Sequence, residues 1–557
     1  MPSLFSSVAR RRAPRQRGDT GAFAAARRGV ALRPMGVAVA RAVSLATLFA
    51  PLAALVALAA GALAEPREVV ALALPTGRRL TLLAQGVGFA VAVTAAGVAV
   101  GVLAAVALWR LPARPRALAR GAVWVAAFVP PYVHSLAWMA VAARTQALMD
   151  LMGLPRLPWR GWGIAWWVQL MSLAPLAVGL ALAGLEAVDR DAVDAARPLR
   201  PDLAVLTRVV LPMAAPLVVA GGALLFLLTM NDYAVPSLFQ VGVYAMELLT
   251  EFSANHAPAR ALFLALPLLA LAAVTMGALL RLLPRVPQRP LRTEEVWRVP
   301  PRWPRGMRVL QALAGVLLGV QFAVPLVVLI GMAATEPALG KALYGARRDI
   351  AYSLGVAVGA AVASLPIALI LGPLVARRRA GWAWLLVALP IAVPAPLVGI
   401  GLITLWNRPG LDAVYGSSVM PVFAAVARFA PLAVAIVAAQ WRRVDPALID
   451  VARVLQARPR QAALQVTVPL LAPGCIAGAC AVMALTLGEL GATLLVVPPG
   501  RATLTLRIYN YLHYGATGDV AGLCLVMLAL ALLIGAGVLA MLTGWGRTLP
   551  DDREAAR

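Results

Sequence analysis

The sequence predicts an all-α integral membrane protein with about twelve transmembrane helices. Its 557 residues are 61% hydrophobic and only 13% charged, and the mean hydropathy is +0.83. A typical soluble domain is about 45–50% apolar and about 25% charged. A soluble fold of this length could not bury the larger apolar fraction of this chain. Apolar runs of about twenty residues recur along the whole chain, and each is long enough to cross the hydrocarbon layer of a bilayer.

The first apolar run decides whether the chain begins with a cleavable signal or with a membrane helix. About forty residues precede this run, and the run itself is longer than the apolar region of a signal peptide. We therefore expect a retained first helix. The twelve predicted spans are 42–64, 82–109, 121–143, 164–186, 213–233, 259–280, 309–334, 351–376, 380–404, 419–440, 470–493 and 519–543.

The basic residues set the predicted orientation. The formal net charge is +26, from 50 Lys and Arg against 24 Asp and Glu. With a cytoplasmic N-terminus, 36 of these 50 basic residues fall in cytoplasmic segments, as the positive-inside rule requires. Both termini are then cytoplasmic. The charge forms no folded basic patch, so nucleic-acid binding is not expected, and the three cysteines lie in apolar segments, which argues against disulfide and metal sites.

The two halves of the chain are repeats of one another. The sequence Ala-Pro-Leu-Ala-Val at 174–178 recurs intact at 430–434, and the acidic Asp232 matches Glu489 after a one-residue change of offset. Because each half holds six spans, the copies have the same orientation, which is the parallel arrangement. The predicted domains are a basic cytoplasmic N-terminal segment 1–41, a six-helix half 42–283, a cytoplasmic linker 284–307, a second six-helix half 308–545 and a cytoplasmic tail 546–557.

A patterned loop lies between the fourth and fifth spans of each half. In the second half, Asp445 is predicted to cap a helix with Pro446 at its first position, where proline is tolerated. Small apolar residues then follow at helical spacing and form a shallow surface, and the first half repeats the pattern after Asp189. The pattern favours docking of a partner on both loops. A helix that lies on the membrane surface is the alternative.

These loops resemble the EAA loop of binding-protein-dependent ABC importer permeases. In that family the loop forms a coupling helix that sits in a cleft of the ATPase subunit. The resemblance implies a type I permease fold with two copies of an ABC ATPase, which carry ATP and Mg, and a periplasmic or extracellular substrate-binding protein. It also implies a multi-pass protein of the bacterial inner membrane. The implied coupling residues are Asp189, Asp194, Ala195, Ala196, Arg197, Asp445, Asp450, Val451, Ala452 and Arg453.

The fused form of the chain and two further stretches look most like iron(III) permeases, with thiamine permeases a close relative. The stretches are 231–236 and 487–500, near the outer ends of the fifth span of each half. The resemblance therefore implies iron(III) as the substrate, with thiamine or another small solute as the alternative. Two features depart from the family: aspartate replaces its glutamate in both loops, and Gln456 replaces its glycine in the second loop.

The chain is expected to be a transport subunit without catalytic residues, cofactor or metal of its own. Its only lysine, Lys341, is not part of a phosphate-binding loop, so ATP hydrolysis must belong to another subunit. The rival hypothesis from another class is a gradient-driven secondary transporter. Such a protein needs several ionisable groups deep in its spans, whereas the sequence places essentially one there, Arg428.

Four residues are candidates for the transport pathway. Arg428 lies inside the tenth span and can pair with Glu489 if their helices are adjacent. Glu489 and its repeat partner Asp232 are either pathway acids or solvated groups at the headgroup level. His134 follows a proline break and is either a packing residue whose ring satisfies freed carbonyl groups or a pathway ligand.

Overall fold

The computed structural model of the chain describes residues 20–62, 66–155, 161–282, 301–335, 339–376, 389–455, 461, 463–513 and 518–545. These residues form helices and the turns between them, without a β-strand. Residues 1–19 and the predicted tail 546–557 lie outside this set, as do residue 283 and residues 284–300 of the predicted linker. The predicted domain boundaries therefore stay predictions.

The described part of the first half contains twelve helices and one π-helical turn. The long helices form the bundle, and the short ones lie in the connections. In chain order they are α1 (Thr20–Ala62), α2 (Pro66–Ala73), α3 (Arg78–Trp109), α4 (Ala113–Ala126), α5 (Pro131–Leu151), α6 (Trp162–Glu186), α7 (Arg190–Ala196), α8 (Asp202–Val205), the first π-turn (Leu206–Val210), α9 (Leu211–Asn231), α10 (Ala234–Leu238), α11 (Tyr244–Asn255) and α12 (Pro258–Leu282).

The described part of the second half repeats this order. Residues 389–392 are helical and precede α15, in the place that α4 holds before α5. The helices are α13 (Arg305–Ala334), α14 (Leu339–Ala376), α15 (Ala395–Trp406), α16 (Asp412–Tyr415), α17 (Val419–Trp441), α18 (Pro446–Leu455), the second π-turn (Ala463–Thr467), α19 (Val468–Leu487), α20 (Thr493–Val496), α21 (Leu504–His513) and α22 (Gly518–Trp545).

Ten of the described helices are long and apolar enough to span a membrane, and a bent pair, α4 with α5, makes an eleventh. These eleven coincide with eleven of the twelve predicted spans. The remaining prediction, 380–404, begins in residues 377–388, which lie outside the described set, and continues in α15. The architecture is that of a multi-pass helical membrane protein.

The predicted span 121–143 coincides with the bent pair of helices α4 and α5. The chain bends by 84° between α4 and α5. Pro130 has an extended backbone and caps α5, and Pro131 occupies its first turn. Because two consecutive prolines remove two N–H donors and exclude the α conformation for the residue before them, the helix breaks there. An average over apolar residues does not detect such a break.

Each half contributes its first helix to the packing of the other. Helix α1 packs against α14, α15 and α17 of the second half, and α13 packs against α3, α5 and α6 of the first. Within the halves, small residues let helices approach closely: a Cβ on Gly101 would lie 2.9 Å from the backbone of Ala177, and one on Gly478 would lie 3.2 Å from Ala433. The two halves therefore form one interlocked bundle.

Candidate functional site: the coupling loops and the contact between the halves

The first loop connects α6 to α9 and begins with the short helix α7. The Asp189 carboxylate accepts a hydrogen bond from the Asp191 backbone N–H at 3.2 Å, which caps the helix. Asp194 and Ala195 are exposed, and Ala196 and Arg197 are half-buried. Val193 is turned inward and is buried. The loop therefore presents a small, partly acidic face to its surroundings.

The second loop connects α17 to α19 and has the same design. The Asp445 carboxylate accepts from the Ala447 N–H at 2.9 Å, and α18 begins at Pro446. The predicted cap is thus confirmed. Asp450, Leu448 and Val451 are exposed and Ala452 is buried, whereas the side chain of Arg453 lies outside the described residues.

Charged contacts tie the start of each loop to the half that carries it. Glu186, at the end of α6, accepts hydrogen bonds from Arg120 at 3.2 and 3.1 Å and forms an ion pair with Arg116 at 3.8 Å. In the second half the equivalent residue is Arg442, which donates to the Ala376 carbonyl at the end of α14 at 3.2 Å. The start of each loop is therefore held by a charged residue at the equivalent position, which is acidic in the first half and basic in the second.

A further contact of the first loop was not predicted from the sequence. One Asp202 oxygen accepts from Arg197 Nε at 3.0 Å, and the other accepts from the backbone N–H of Arg302 at 2.5 Å. The next residue, Trp303, is 7% exposed and belongs to the apolar cluster under the loop. The segment 301–304, which we call the strap, therefore joins the first loop to the start of the second half. A tryptophan between prolines in an arginine-rich linker was the only local signal for it.

The structure brings Arg428 and Glu489 together. The Arg428 guanidinium forms an ion pair with the Glu489 carboxylate. Glu489 is 4% exposed and also accepts from the backbone N–H groups of Ala492 at 3.0 Å and Thr493 at 2.8 Å. It is therefore a buried, paired carboxylate that caps α20, and the alternative of a solvated surface acid does not describe it.

Asp232 holds the equivalent position in the first half. Its carboxylate accepts from the Ala234 N–H at 2.9 Å and caps α10, and Arg428 is close enough to act on it electrostatically. Position 428 is matched in the first half by Ser172, 256 residues earlier, so Asp232 has no repeat-equivalent arginine. Arg428 thus pairs with the carboxylate of its own half and acts on Asp232 of the other half only through space.

The same region carries the polar contacts between the halves. The Asn231 amide donates to the Ala392 carbonyl at 3.0 Å, and a Cβ on Gly488, the repeat partner of Asn231, would lie 3.2 Å from Pro130. In each half, the end of the fifth predicted span therefore contacts the proline break of the other half. Two hydroxyl pairs add to this contact, Tyr132 with Thr505 and Ser237 with Tyr509, both at 3.0 Å.

His134 does not join these contacts. It is 1% exposed on α5, and neither ring nitrogen has a hydrogen-bond partner among the described residues. The ring therefore does not satisfy the carbonyl groups freed by the proline break, which was one of the two interpretations of this residue. No group of three or more His, Cys, Asp or Glu that could hold a metal occurs in the described part of the chain.

Comparison with known proteins identifies the family. Residues 97–288 match the binding-protein-dependent transport system inner membrane component. The molybdenum transport system permease protein ModB of Mycobacterium tuberculosis is 31% identical over 260 residues, which cover 94% of that protein and 42% of this chain. The chain belongs to this family. It is an ABC transporter permease with the type I permease fold.

Two other relatives are likewise matched over most of their own length but over less than half of this chain. ModB of Haemophilus influenzae is 31% identical over 199 residues, which cover 86% of it and 32% of this chain. The putative 2-aminoethylphosphonate transport system permease protein PhnV of Salmonella choleraesuis is 27% identical over 252 residues, or 94% of it and 42% of this chain. A nearly complete relative thus corresponds to less than half of this permease.

Proposed function

We propose that this chain is the membrane-spanning permease of an ATP-driven, binding-protein-dependent importer, with both permease halves in one polypeptide. The observation that carries the proposal is the pair of Asp-capped loop helices, α7 and α18, at equivalent points of the two halves. Each offers an exposed face with an acidic residue, Asp194 or Asp450. Two copies of an ABC ATPase would dock there.

The partner ATPases supply the energy. ATP and Mg belong to those subunits, because this chain has no phosphate-binding loop around its single lysine. Closure of the ATPase pair would move α7 and α18 as rigid bodies and shift α9 and α19, which follow them, relative to the other helices. The contacts between the halves around Asn231 and Gly488 are the ones that must rearrange for access to alternate.

The membrane placement is part of the proposal. The distribution of basic residues supports cytoplasmic termini and cytoplasmic coupling loops in a bacterial inner membrane. The outer face would then contain α11 and α21, where a soluble binding protein would deliver the substrate.

Iron(III) is our first substrate proposal, supported by the resemblance of the stretches 231–236 and 487–500 and by the two carboxylates Asp232 and Glu489, of which only Glu489 is paired with Arg428. Such a site carries an excess of negative charge, which favours a cation. A phosphonate or a molybdenum oxyanion is the second candidate, supported by the names of the relatives. Thiamine is the remaining alternative from the sequence resemblance.

Reversal of the loop charges tests the docking assignment. The double variant Asp194→Arg, Asp450→Arg should abolish co-purification of the partner ATPase, because both docking faces then carry the opposite charge. The variant should still insert in the membrane at the wild-type level, since both residues are exposed. Asp412→Arg, on the first turn of the exposed α16, is the matched control. Wild-type association of the double variant would refute the assignment.

A second experiment separates the substrates. The permease with its ATPase is reconstituted in liposomes, and ATP hydrolysis is measured with binding proteins loaded with iron(III), molybdate, 2-aminoethylphosphonate or thiamine. Stimulation by the iron(III)-loaded protein alone would establish the first candidate. Stimulation by one of the others alone would replace it.

A further inference from the structure

The strap makes a polar contact and an apolar contact with the first coupling loop. Through Asp202, the backbone N–H of Arg302 is connected to Arg197, the residue that ends α7. A single carboxylate thus receives one hydrogen bond from the end of the coupling helix and one from the strap. Hydrogen bonds to a charged acceptor are stronger than those between neutral groups.

Trp303 anchors the strap in the core beneath the loop. It shares an apolar cluster with Val193 of α7, with Val205 and Leu206 at the π-turn, and with Leu185 near the end of α6. Burial of an indole ring removes about 150–250 Å² from solvent and dominates the energy of a small contact. A shift of α7 or of the π-turn must therefore displace the indole or carry it along.

The strap leads directly into a long helix of the second half. Pro304 is the N-cap of α13, and Met307 in its first turn packs against the same cluster as Trp303. Helix α13 then packs against α22 of its own half and against α3 and α5 of the first half. Only Pro304, whose ring fixes its backbone φ angle, separates Trp303 from α13. A displacement of Trp303 with the first loop should therefore move the start of α13 as well.

The second loop has no such cover among the described residues. Ala463, which holds the position of Leu206 in the second π-turn, is exposed, whereas Leu206 is 2% exposed. Leu448 and Val451 on α18 are exposed as well. The two loops therefore differ in their connection to the rest of the chain.

We propose that the strap is a mechanical link through which the first coupling loop drives α13 of the second half. Trp303 and Asp202 are then positioning residues for coupling. They place the first loop relative to α13 and need not touch the ATPase. The inference rests on the proposed role of the loops. It means that residues 301–304 transmit motion from the first loop to α13, in addition to connecting the halves in sequence.

The test compares transport with ATP hydrolysis in the complete transporter. Trp303→Ala and Asp202→Asn are reconstituted with the partner ATPase and binding protein, and ATPase co-purification, hydrolysis rate and substrate uptake are measured. We expect normal co-purification and hydrolysis, with uptake per ATP reduced at least about fivefold, the lower end of common coupling effects. Trp303→Phe, which keeps an aromatic ring in the cluster, should restore most of the ratio.

Trp162→Ala is the matched control, because Trp162 lies at the opposite end of α6 and packs against Phe89 with the two rings tilted by 60°, away from the loop. It should leave uptake per ATP unchanged. An unchanged ratio in both strap variants would overturn the inference, as would a parallel fall of hydrolysis and uptake, which indicates a structural role alone. Failure of the proposed function gives a different result, since the ATPase would then not associate with the wild-type chain.

Discussion

The two halves of this permease carry the same loop between equivalent helices but differ in what supports it. The first loop is held from inside by Asp202 and Trp303, and the second exposes Leu448, Val451 and Leu464. The strap reaches the first loop because it immediately precedes α13, which packs across the first half. Sequence repetition between the halves therefore does not imply that their loops are packed in the same way.

A second difference lies where the halves meet. Glu489 and Asp232 both cap a short helix after the fifth predicted span of their half, but only Glu489 makes an ion pair with Arg428. The cause is one substitution in the repeat, Ser172 in place of the arginine. The two carboxylates thus make equivalent hydrogen bonds to backbone N–H groups, but only Glu489 also pairs with an arginine.

The largest effect is expected from truncation of the two acids. Glu489→Ala should lower the free energy of unfolding by about 3–5 kcal/mol, because it removes the buried carboxylate that pairs with Arg428 and accepts the N–H groups at the start of α20. Asp232→Ala, which removes a helix cap, should cost about 1 kcal/mol. Equilibrium unfolding in mixed micelles measures both values. The double variant Arg428→Met, Glu489→Leu should recover most of the loss, and equal effects of the two single variants would contradict the comparison.

An intermediate effect should distinguish the two π-turns. Leu206→Ala should destabilise the protein by about 2–5 kcal/mol, because it leaves a cavity in the cluster that holds Trp303. Leu464→Ala should change the stability by less than about 0.5 kcal/mol, since its side chain is exposed. Both values come from the same unfolding assay. Similar losses in the two variants would show that the second loop is covered as well.

The smallest effect concerns the outer connections. Burial alone would raise the pKa of Glu251 on α11, but hydrogen bonds from Arg260 and Asn255 outweigh it and lower this pKa. The resulting stabilisation is complete above the ordinary glutamate pKa and is lost as the pH falls through the lowered value. The matching helix of the second half, α21, has no carboxylate.

Thermal unfolding of the wild type between neutral and acidic pH measures this contribution. Glu251→Gln should lower the midpoint at neutral pH and reduce its fall on acidification. Asp412→Asn, which removes an exposed carboxylate on α16, is a control for the loss of charge alone. The same acid dependence in Glu251→Gln as in the wild type would show that other groups produce it.

Several features could be predicted because their causes are local. The caps by Asp189 and Asp445 depend on residues within two positions along the chain, and the spans depend on runs of apolar side chains. The pairing of Arg428 with Glu489 could be stated only as a condition, because it requires adjacent helices. The bend at Pro130 was visible as a motif, but its 84° angle was not.

The sequence by itself determined that this chain is a membrane-spanning helical permease with two repeated halves, because hydropathy, charge placement and short motifs act over a few residues. The tertiary structure alone decided which side chains meet across the bundle. The contact of Asp202 with Arg302 joins residues 100 positions apart, and that of Tyr132 with Thr505 joins residues 373 apart. Such contacts follow from the packing of whole helices, which no local pattern encodes.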